Sequence, residues 1–389
     1  MSRFLFSFMG GHGHFVPLVP VARAAQSAGH RAAIACGSSR AAAVEAAGFE
    51  AIALGTNGRE EVTRTALRPL DAAREAEEFR DRFADGATRW KVPLFEEACK
   101  AWRPDVVVCD EADFGSLLVA ERLGLPYASI LVMAAGAFVR PALITGVLNA
   151  IRAELGLTPD PDLAMLHRYL SLSPFPPGFR DPAVEAPPTL HPYRPASPAA
   201  GSEPPSWPGM RAGAPLLYFS LGTVFNVESG DLFERVLDGL SQLPVNVLVT
   251  VGNEIDPAAL GQQPDHVRIE RFLPQHEILP HAALVVSHGG SGSVAGALAH
   301  GLPMLITPMG ADQLDNAARV RALGIGRWLD PVAATPADVR DAATAILSDN
   351  GYHNAAAILR DQYADLPGTD HAVVLLERLN HARAPIVDP

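Results

Sequence analysis

The feature that most constrains this chain is a short apolar run that ends abruptly in glycine. Leu284-Val-Val-Ser287 is apolar enough for a strand buried on both faces. It gives way to His288-Gly-Gly-Ser-Gly-Ser293, and helical spacing resumes at Val294 and Leu298. A strand, a glycine-rich turn and a helix start bring free backbone N–H groups and the positive end of a helix dipole to one point, which suits an anion. Gly289, Gly290 and Gly292 let the backbone approach a phosphate closely, Ser291 and Ser293 add hydroxyl donors, and His288 adds another. An ordinary βα turn with a serine cap accounts for the same residues equally well.

The alternation recurs along the chain. Arg3–Met9 reads as a buried strand, Gly10-Gly-His-Gly-His14 as a loop, and residues 16–28 as a helix stopped by Gly29. Further strands fall at 31–36, 49–54, 104–110 and 126–132, with helices at 41–47, 95–102 and 115–123. Residues 195–215, dense in Pro, Ala, Ser and Gly, read as a linker. The pattern restarts beyond it with strands at 216–220, 246–251, 267–270 and 304–307, and with a helix over Asp231–Leu240. A chain of 389 residues makes about two domains. This order predicts an α/β fold of two Rossmann-like, doubly wound parallel sheets, with ligands at the carboxyl ends of the strands. The expected bounds are 1–194, a linker over 195–214, a second domain over 215–368 and a last helical segment over 369–389.

Several local patterns offer chemistry. The loop before Val16 fails the dinucleotide fingerprint, because valine stands where its third glycine belongs. His12 and His14 lack a Cys/His partner set at metal-ligand spacing. Asp110-Glu-Ala-Asp113 imitates a helicase box, but neither lysine, Lys91 or Lys100, follows a glycine, so the phosphate loop that box requires is absent. Asp110, ending one parallel strand, is instead placed to face His14 at the end of another and to fix its tautomer. Glu111 and Asp113 read as cap or surface residues. Asp160-Pro-Asp162 reads as the N-cap of a helix over Leu163–Leu170 rather than as a metal clamp. Met133 and Phe138 are candidates for an apolar pocket, though core packing explains them as well. Gly289-x-Ser291 does not complete a hydrolase elbow, since Ser293 occupies the last glycine position.

From Phe272 to Gln313 the chain resembles the donor-binding signature of the inverting, nucleotide-sugar-dependent glycosyltransferases of the GT-B type, family 1. The resemblance rests on Phe272, Pro274-Gln275, Ile278-Leu279, His281, Ser287-His288-Gly289-Gly290, Gly301, Pro303 and Asp312-Gln313. Gly13-His14-x-x-Pro17 is similar to the family's base motif, and Gly222-Thr223 to its second phosphate contact. The resemblance implies His14 as general base, oriented by Asp110. It further implies that Phe272 stacks on the donor base, with Leu273 at the base edge, Gln275 at the ribose, and Asp312 and Gln313 on sugar hydroxyls. The His288–Ser293 turn and Thr223 would then stabilise the pyrophosphate without a metal. The last helix, with Asp370–Leu379 as candidate, is expected to cross back to the first domain, and the two domains to close around the donor.

Two departures from the plant form of the signature are informative. Gly296 stands where that form carries a glutamate for both ribose hydroxyls, which favours a dTDP-sugar over a UDP-sugar. Phe272-Leu273 replaces its tryptophan, as in the bacterial natural-product branch. The expected partners are therefore a nucleotide-sugar donor and a hydrophobic small-molecule acceptor, with no cofactor and no metal. A homodimer stays open, as do the sugar, the acceptor and the atom glycosylated. Rival readings are a sugar-nucleotide epimerase of the same architecture and an inactive partner that activates another transferase. A net charge of −12 opposes a nucleic-acid or anionic-membrane partner. Three cysteines, an odd number, suit free thiols in a reducing cytoplasm, and no apolar run is long enough for a signal or a membrane span.

Overall fold

In the computed structural model, which describes residues 1–56, 64–196 and 203–387, the strands form two all-parallel sheets. The first contains β1 (Arg3–Ser7), β2 (Arg31–Gly37), β3 (Glu50–Leu54), β4 (Val106–Asp110), β5 (Tyr127–Ile130), β6 (Leu170–Ser173) and β7 (Leu190–Pro192). Its spatial order is β3-β2-β1-β4-β5-β6-β7. The second contains β8 (Leu216–Ser220), β9 (Asn246–Thr250), β10 (Val267–Glu270), β11 (Ala282–Ser287), β12 (Met304–Ile306) and β13 (Gly326–Trp328), ordered β10-β9-β8-β11-β12-β13. The central strands are apolar on both faces because helices cover both sides, as parallel sheets require. Phe4, Phe6 and Val108 pack on one face of the first sheet, while Leu5, Val107 and Cys109 pack on the other.

Each sheet reverses its winding once, between β1 and β4 and between β8 and β11. At such a switch point neighbouring loops diverge to opposite faces and leave a crevice at the strand ends. Register places Ser7 beside Cys109 in the first sheet and Ser220 beside Ser287 in the second. β4 ends on Asp110, and the segments after Ser7, Ser220 and Ser287 carry His14, Gly222 and His288.

Three sequence expectations need correction. His14 belongs to a short helical turn, His12–Phe15, and the helix expected over 16–28 begins at Leu18 after Pro17. No helix forms over Leu163–Leu170. Leu163 is left-handed (φ 48°), Ala164–Leu166 make one 3-10 turn, and Leu170 opens β6. Asp160 still caps that turn, accepting from Ala164 N at 2.9 Å and Met165 N at 2.8 Å. The third concerns the helix expected from Phe95, which begins at Thr88 and follows helix Ala72–Phe79 through wide π-helical turns at Arg80–Ala87.

Pro336 sits in the first turn of helix Pro336–Ser348, with Thr335 and Asp338 forming a capping box. Helix Thr369–Ala382 packs on helix Leu18–Ser27, and Ala372, Leu375, Leu376 and Leu379 join the core of the first sheet. Among the described residues no helix is long and apolar enough to cross a membrane.

Candidate active site

At the first switch point, the imidazole Nδ1 of His14 lies 3.1 Å from Asp110 Oδ1. Asp110 is fully buried, and its carboxylate is fixed by Met9 N on Oδ2 (2.7 Å) and Ala112 N on Oδ1 (2.8 Å). An acceptor so held selects the tautomer with the proton on Nδ1 and leaves Nε2 as the basic nitrogen. Burial pushes the His14 pKa down. The charge of Asp110, its hydrogen bond and the charges of Asp312 and Glu111 outweigh that, and the net shift is upward. Phe83 lies over the imidazole, with centroids 5.7 Å apart and planes at 23°, and Phe79 continues the stack. Gly10 (φ 115°) also lies against the ring, where a Cβ would come within 2.8 Å of His14 Cδ2. Gly13 is exposed with open space around it, and exposed His12 makes no bond to Asp110.

At the second switch point, the His288 ring is wedged between Gly222 and Gly290. A Cβ on either glycine would fall 2.7 Å or 2.4 Å from Nε2. Burial lowers the His288 pKa to about 4 against the opposing pull of the Ser220 carbonyl, so the ring is neutral at pH 7. Its Nδ1 is buried without a hydrogen-bond partner. Gly289 is left-handed (φ 83°), since a Cβ there would strike Ile306 at 2.6 Å, and Gly290 caps helix Ser291–His300. Gly292 and Thr223 are exposed, while Ser293 is buried and bonded through its amide to Gly290 O at 2.9 Å. Phe272 stands 56% exposed on the rim, free to stack on a planar ligand. Leu273 is half-buried against the second sheet's core, and Gln275 opens the short helix Gln275–Ile278.

Not every candidate side chain is free. Ser291 Oγ donates to Asp312 Oδ2 at 2.5 Å and accepts from Ala134 N at 2.6 Å, tying the second sheet's turn to the first sheet's wall. Asn316 joins the same cluster, bonding Asp312 Oδ2 (2.9 Å), Gly289 O (2.9 Å) and Ala135 N (3.1 Å). Gln313 is buried, with its carbonyl oxygen taken by Met309 N and Gly310 N at 2.7 and 3.2 Å. Burial raises the Asp312 pKa against its bonds to Ser291 and Asn316. The structure thus gathers His14, Asp110 and Asp312 around one space, sets His288 and the glycine turn beside Gly222, and leaves Phe272 and Thr223 at the edges.

Glu111 is neither a cap nor a surface group. Its Oε1 accepts from Val132 N and Met133 N at 2.6 and 2.7 Å. Burial, against those two bonds and aided by the charges of Asp110 and Asp312, lifts its pKa to about 7. Asp113 does cap the helix Phe114–Arg122, but it is also fully buried and ion-paired to buried Lys91, whose Nζ donates to Phe8 O at 2.9 Å. Met133 and Phe138 pack in the first sheet's core, and Phe138 meets Phe79 edge-on at 5.1 Å. Phe83, Asn316 and Glu111 were missed because spacing does not report which loops meet in space. A lysine among apolar helix residues was the one signal of the Lys91–Asp113 pair. All three cysteines are buried free thiols, whose pKa values burial raises. Among the described residues no cluster of three or more His, Cys, Asp or Glu is arranged to hold a metal ion.

Comparison with known proteins places these features in context. The family described as erythromycin biosynthesis protein CIII-like, C-terminal domain, matches residues 234–379. The 4'-demethylrebeccamycin synthase of Lentzea aerocolonigenes is 30% identical over 430 residues, covering 97% of this chain and 99% of that protein. The demethyllactenocin mycarosyltransferase of Streptomyces fradiae is 28% identical over 406 residues, covering 97% and 87%. Among solved structures, spinosyn rhamnosyltransferase SpnG complexed with thymidine diphosphate superposes with a TM-score of 0.82 at 24% identity, covering 96% of this chain and 100% of that one.

Proposed function

Because this chain belongs to the bacterial natural-product glycosyltransferases, we propose that it moves a deoxysugar from a dTDP-sugar to a hydroxyl of a hydrophobic small molecule, with inversion. The neutral His14 imidazole takes the acceptor hydroxyl proton on Nε2 while the hydroxyl oxygen bonds to the anomeric carbon. On the opposite face, the bond from that carbon to the diphosphate oxygen breaks, and the nucleoside diphosphate leaves with the electron pair. Asp110 keeps the Nδ1 proton and stabilises the imidazolium. The amides of Gly290, Ser291 and Gly292, the dipole of their helix, the Ser293 hydroxyl, His288 and Thr223 meet the charge growing on the leaving diphosphate. In this scheme no metal ion is required. Phe272 stacks on the base, the Leu273 backbone meets its edge, Gln275 reaches the ribose, and Asp312 and Gln313 face the sugar. Gly13 leaves the space through which donor and acceptor meet. We divide the chain into an acceptor domain (1–194), a linker (195–214), a donor domain (215–368) and a returning helix (369–389).

The observation that carries this reading is the His14–Asp110 pair at 3.1 Å, sharing a space with Asp312, whose charge reaches the imidazole. Support for thymidine over uridine comes from Gly296, which carries no carboxylate to bind two ribose hydroxyls and has Leu279 Cδ1 packed 2.7 Å from where its Cβ would stand. The thymidine diphosphate held by spinosyn rhamnosyltransferase SpnG favours the same choice. Titration calorimetry with dTDP and then UDP, in EDTA, tests the donor: dTDP is expected to bind more tightly, and a clear preference for UDP refutes the assignment. His14→Ala should keep dTDP affinity and lose about 10²–10⁴-fold of transfer. Unchanged turnover would remove His14 from the mechanism.

A further inference from the structure

The turn that opens helix Gln313–Ala322 is completed by a residue from the other half of the molecule. Its amides are shared out in sequence: Met309 N and Gly310 N bond Gln313 Oε1, and Ala311 N bonds Glu75 Oε2 at 2.8 Å. Ala311 is left-handed (φ 50°), a conformation a non-glycine residue holds only when its surroundings impose it. Gly310 has no room for a side chain, because a Cβ would stand 2.9 Å from both Glu75 Oε2 and Phe225 Cε1. Phe225 in turn faces the ring of His288, centroid to centroid at 6.2 Å. The Glu75 carboxylate therefore lies against the turn at residues 309–311, beside the residue that precedes Asp312.

Glu75 is held there by a strap with its own anchorage. Helix Ala72–Phe79 starts at Asp71, whose side chain caps Ala73 N and Arg74 N. Ahead of it, Thr65 N bonds Val227 O at 2.6 Å, Gly230 N bonds Thr65 O at 3.1 Å, and Arg64 grips both oxygens of Glu234 at 3.0 and 2.8 Å. Leu67 packs into the core of the second sheet. Glu75 Oε1 takes one bond from Arg74 NH2 at 3.1 Å, and its side chain keeps 18% exposure. Asp312 spends Oδ2 on Ser291 and Asn316, while no side chain of another described residue bonds its Oδ1.

We propose that Glu75 is a specificity-determining residue for the donor, completing with Asp312 a two-carboxylate acceptor set that reads the hydroxyls of the transferred sugar. The inference rests on the donor-site reading given above. Glu75, bonded to the Ala311 amide, and Asp312, the next residue along that turn, both present carboxylates, which accept hydrogen bonds and offer none, so they suit O–H or N–H groups on a sugar edge. Because Glu75 comes from the acceptor half, it also ties sugar recognition to the approach of the two halves.

The test is calorimetric titration of wild type, Glu75→Gln and Glu75→Ala with dTDP and with dTDP-glucose. The quantity read is the ratio of the two dissociation constants, which isolates the sugar. Both variants are expected to bind dTDP within about twofold of wild type and to lose about tenfold or more of the affinity the sugar adds, the loss of a hydrogen bond to a charged group. Gln keeps a carbonyl for Ala311 N, so it separates the sugar effect from damage to the turn. An unchanged ratio, an equal loss for both ligands, or tighter dTDP-glucose binding in Glu75→Gln overturns the proposal. Failure of wild type to bind dTDP at all would instead overturn the donor-site reading.

Discussion

Replacing Asp110 by Asn removes one charge from a buried site and leaves its shape almost unaltered. His14 is subject to opposed influences: burial lowers its pKa, and Asp110, by charge and hydrogen bond, supplies most of what raises it. Without that charge burial dominates, and the imidazole pKa falls below its ordinary value of about 6.5. A hydrogen bond between charged groups is worth about 1.5–3 kcal/mol, which corresponds to a shift of about one to two pH units. The limb of kcat/KM that reports His14 should therefore move to lower pH, while the rate above it falls by about 10²–10⁴-fold, because the imidazolium loses its counter-charge as it forms. Stability follows the same linkage. In the wild type the folded pKa lies above the unfolded one, so the pair stabilises fully below about pH 6.5 and its contribution is lost as pH rises through the folded pKa. In Asp110→Asn the order is reversed, and stability is lost as pH falls below about 6.5. Urea melts at pH 5.5 and 8.5 should show the variant penalised by about 2 kcal/mol more at the lower pH. A limb that stays in place or moves upward, or an equal penalty at both pH values, would refute the reasoning.

Lys91→Met strands the buried Asp113 carboxylate and should cost about 3–5 kcal/mol in urea unfolding, whereas Lys91→Met/Asp113→Leu should recover most of it; additive losses would argue against an isolated pair. Glu111 has a folded pKa near 7, above its unfolded value, so it favours folding at low pH and loses that contribution as pH rises through 7. Glu111→Gln should therefore be more stable than wild type at pH 8.5 and lose the advantage below pH 4.5. A variant no more stable than wild type at pH 8.5 would mean that Glu111 ionises without penalty.

Much of the fold is legible in the sequence because strands buried on both faces are written as unbroken apolar runs, such as Phe4–Phe6, Val106–Val108 and Leu284–Val286. The nearness of His14 to Asp110 is legible for the same reason, since both follow strands that a doubly wound sheet makes neighbours. The two short strands at the far side of the first sheet are not. Leu170–Ser173 is four residues of alternating leucine and serine, and the edge strand Leu190–Pro192 is three residues including a proline. The π-helical turns that put Phe83 over His14 have no distinct residue pattern. Glu75 and Asn316 depend on contacts made across the cleft, and Glu111 on the amides of Val132 and Met133 beyond the neighbouring strand, and contacts of that separation leave no trace in local periodicity.

The polypeptide passes between the two halves twice, once after β7 and once before helix Thr369–Ala382, and these passages touch. Arg194 N bonds Pro367 O at 2.7 Å, and Arg194 and Gly368 form a lone parallel bridge. Two tethers joined side by side act as one pivot rather than as two separate restraints. Rotation about it leaves the covalent chain nearly undisturbed, and displacement grows with the lever arm from the pivot. Arg64–Glu234 and Glu75–Ala311 are further contacts between the halves. They are accompanied by apolar contacts, with Leu67 packed on the second sheet's core and Leu131, Ala134 and Phe179 clustered with Tyr218, Val285 and Val294, so parting the halves would expose buried apolar surface as well as break hydrogen bonds.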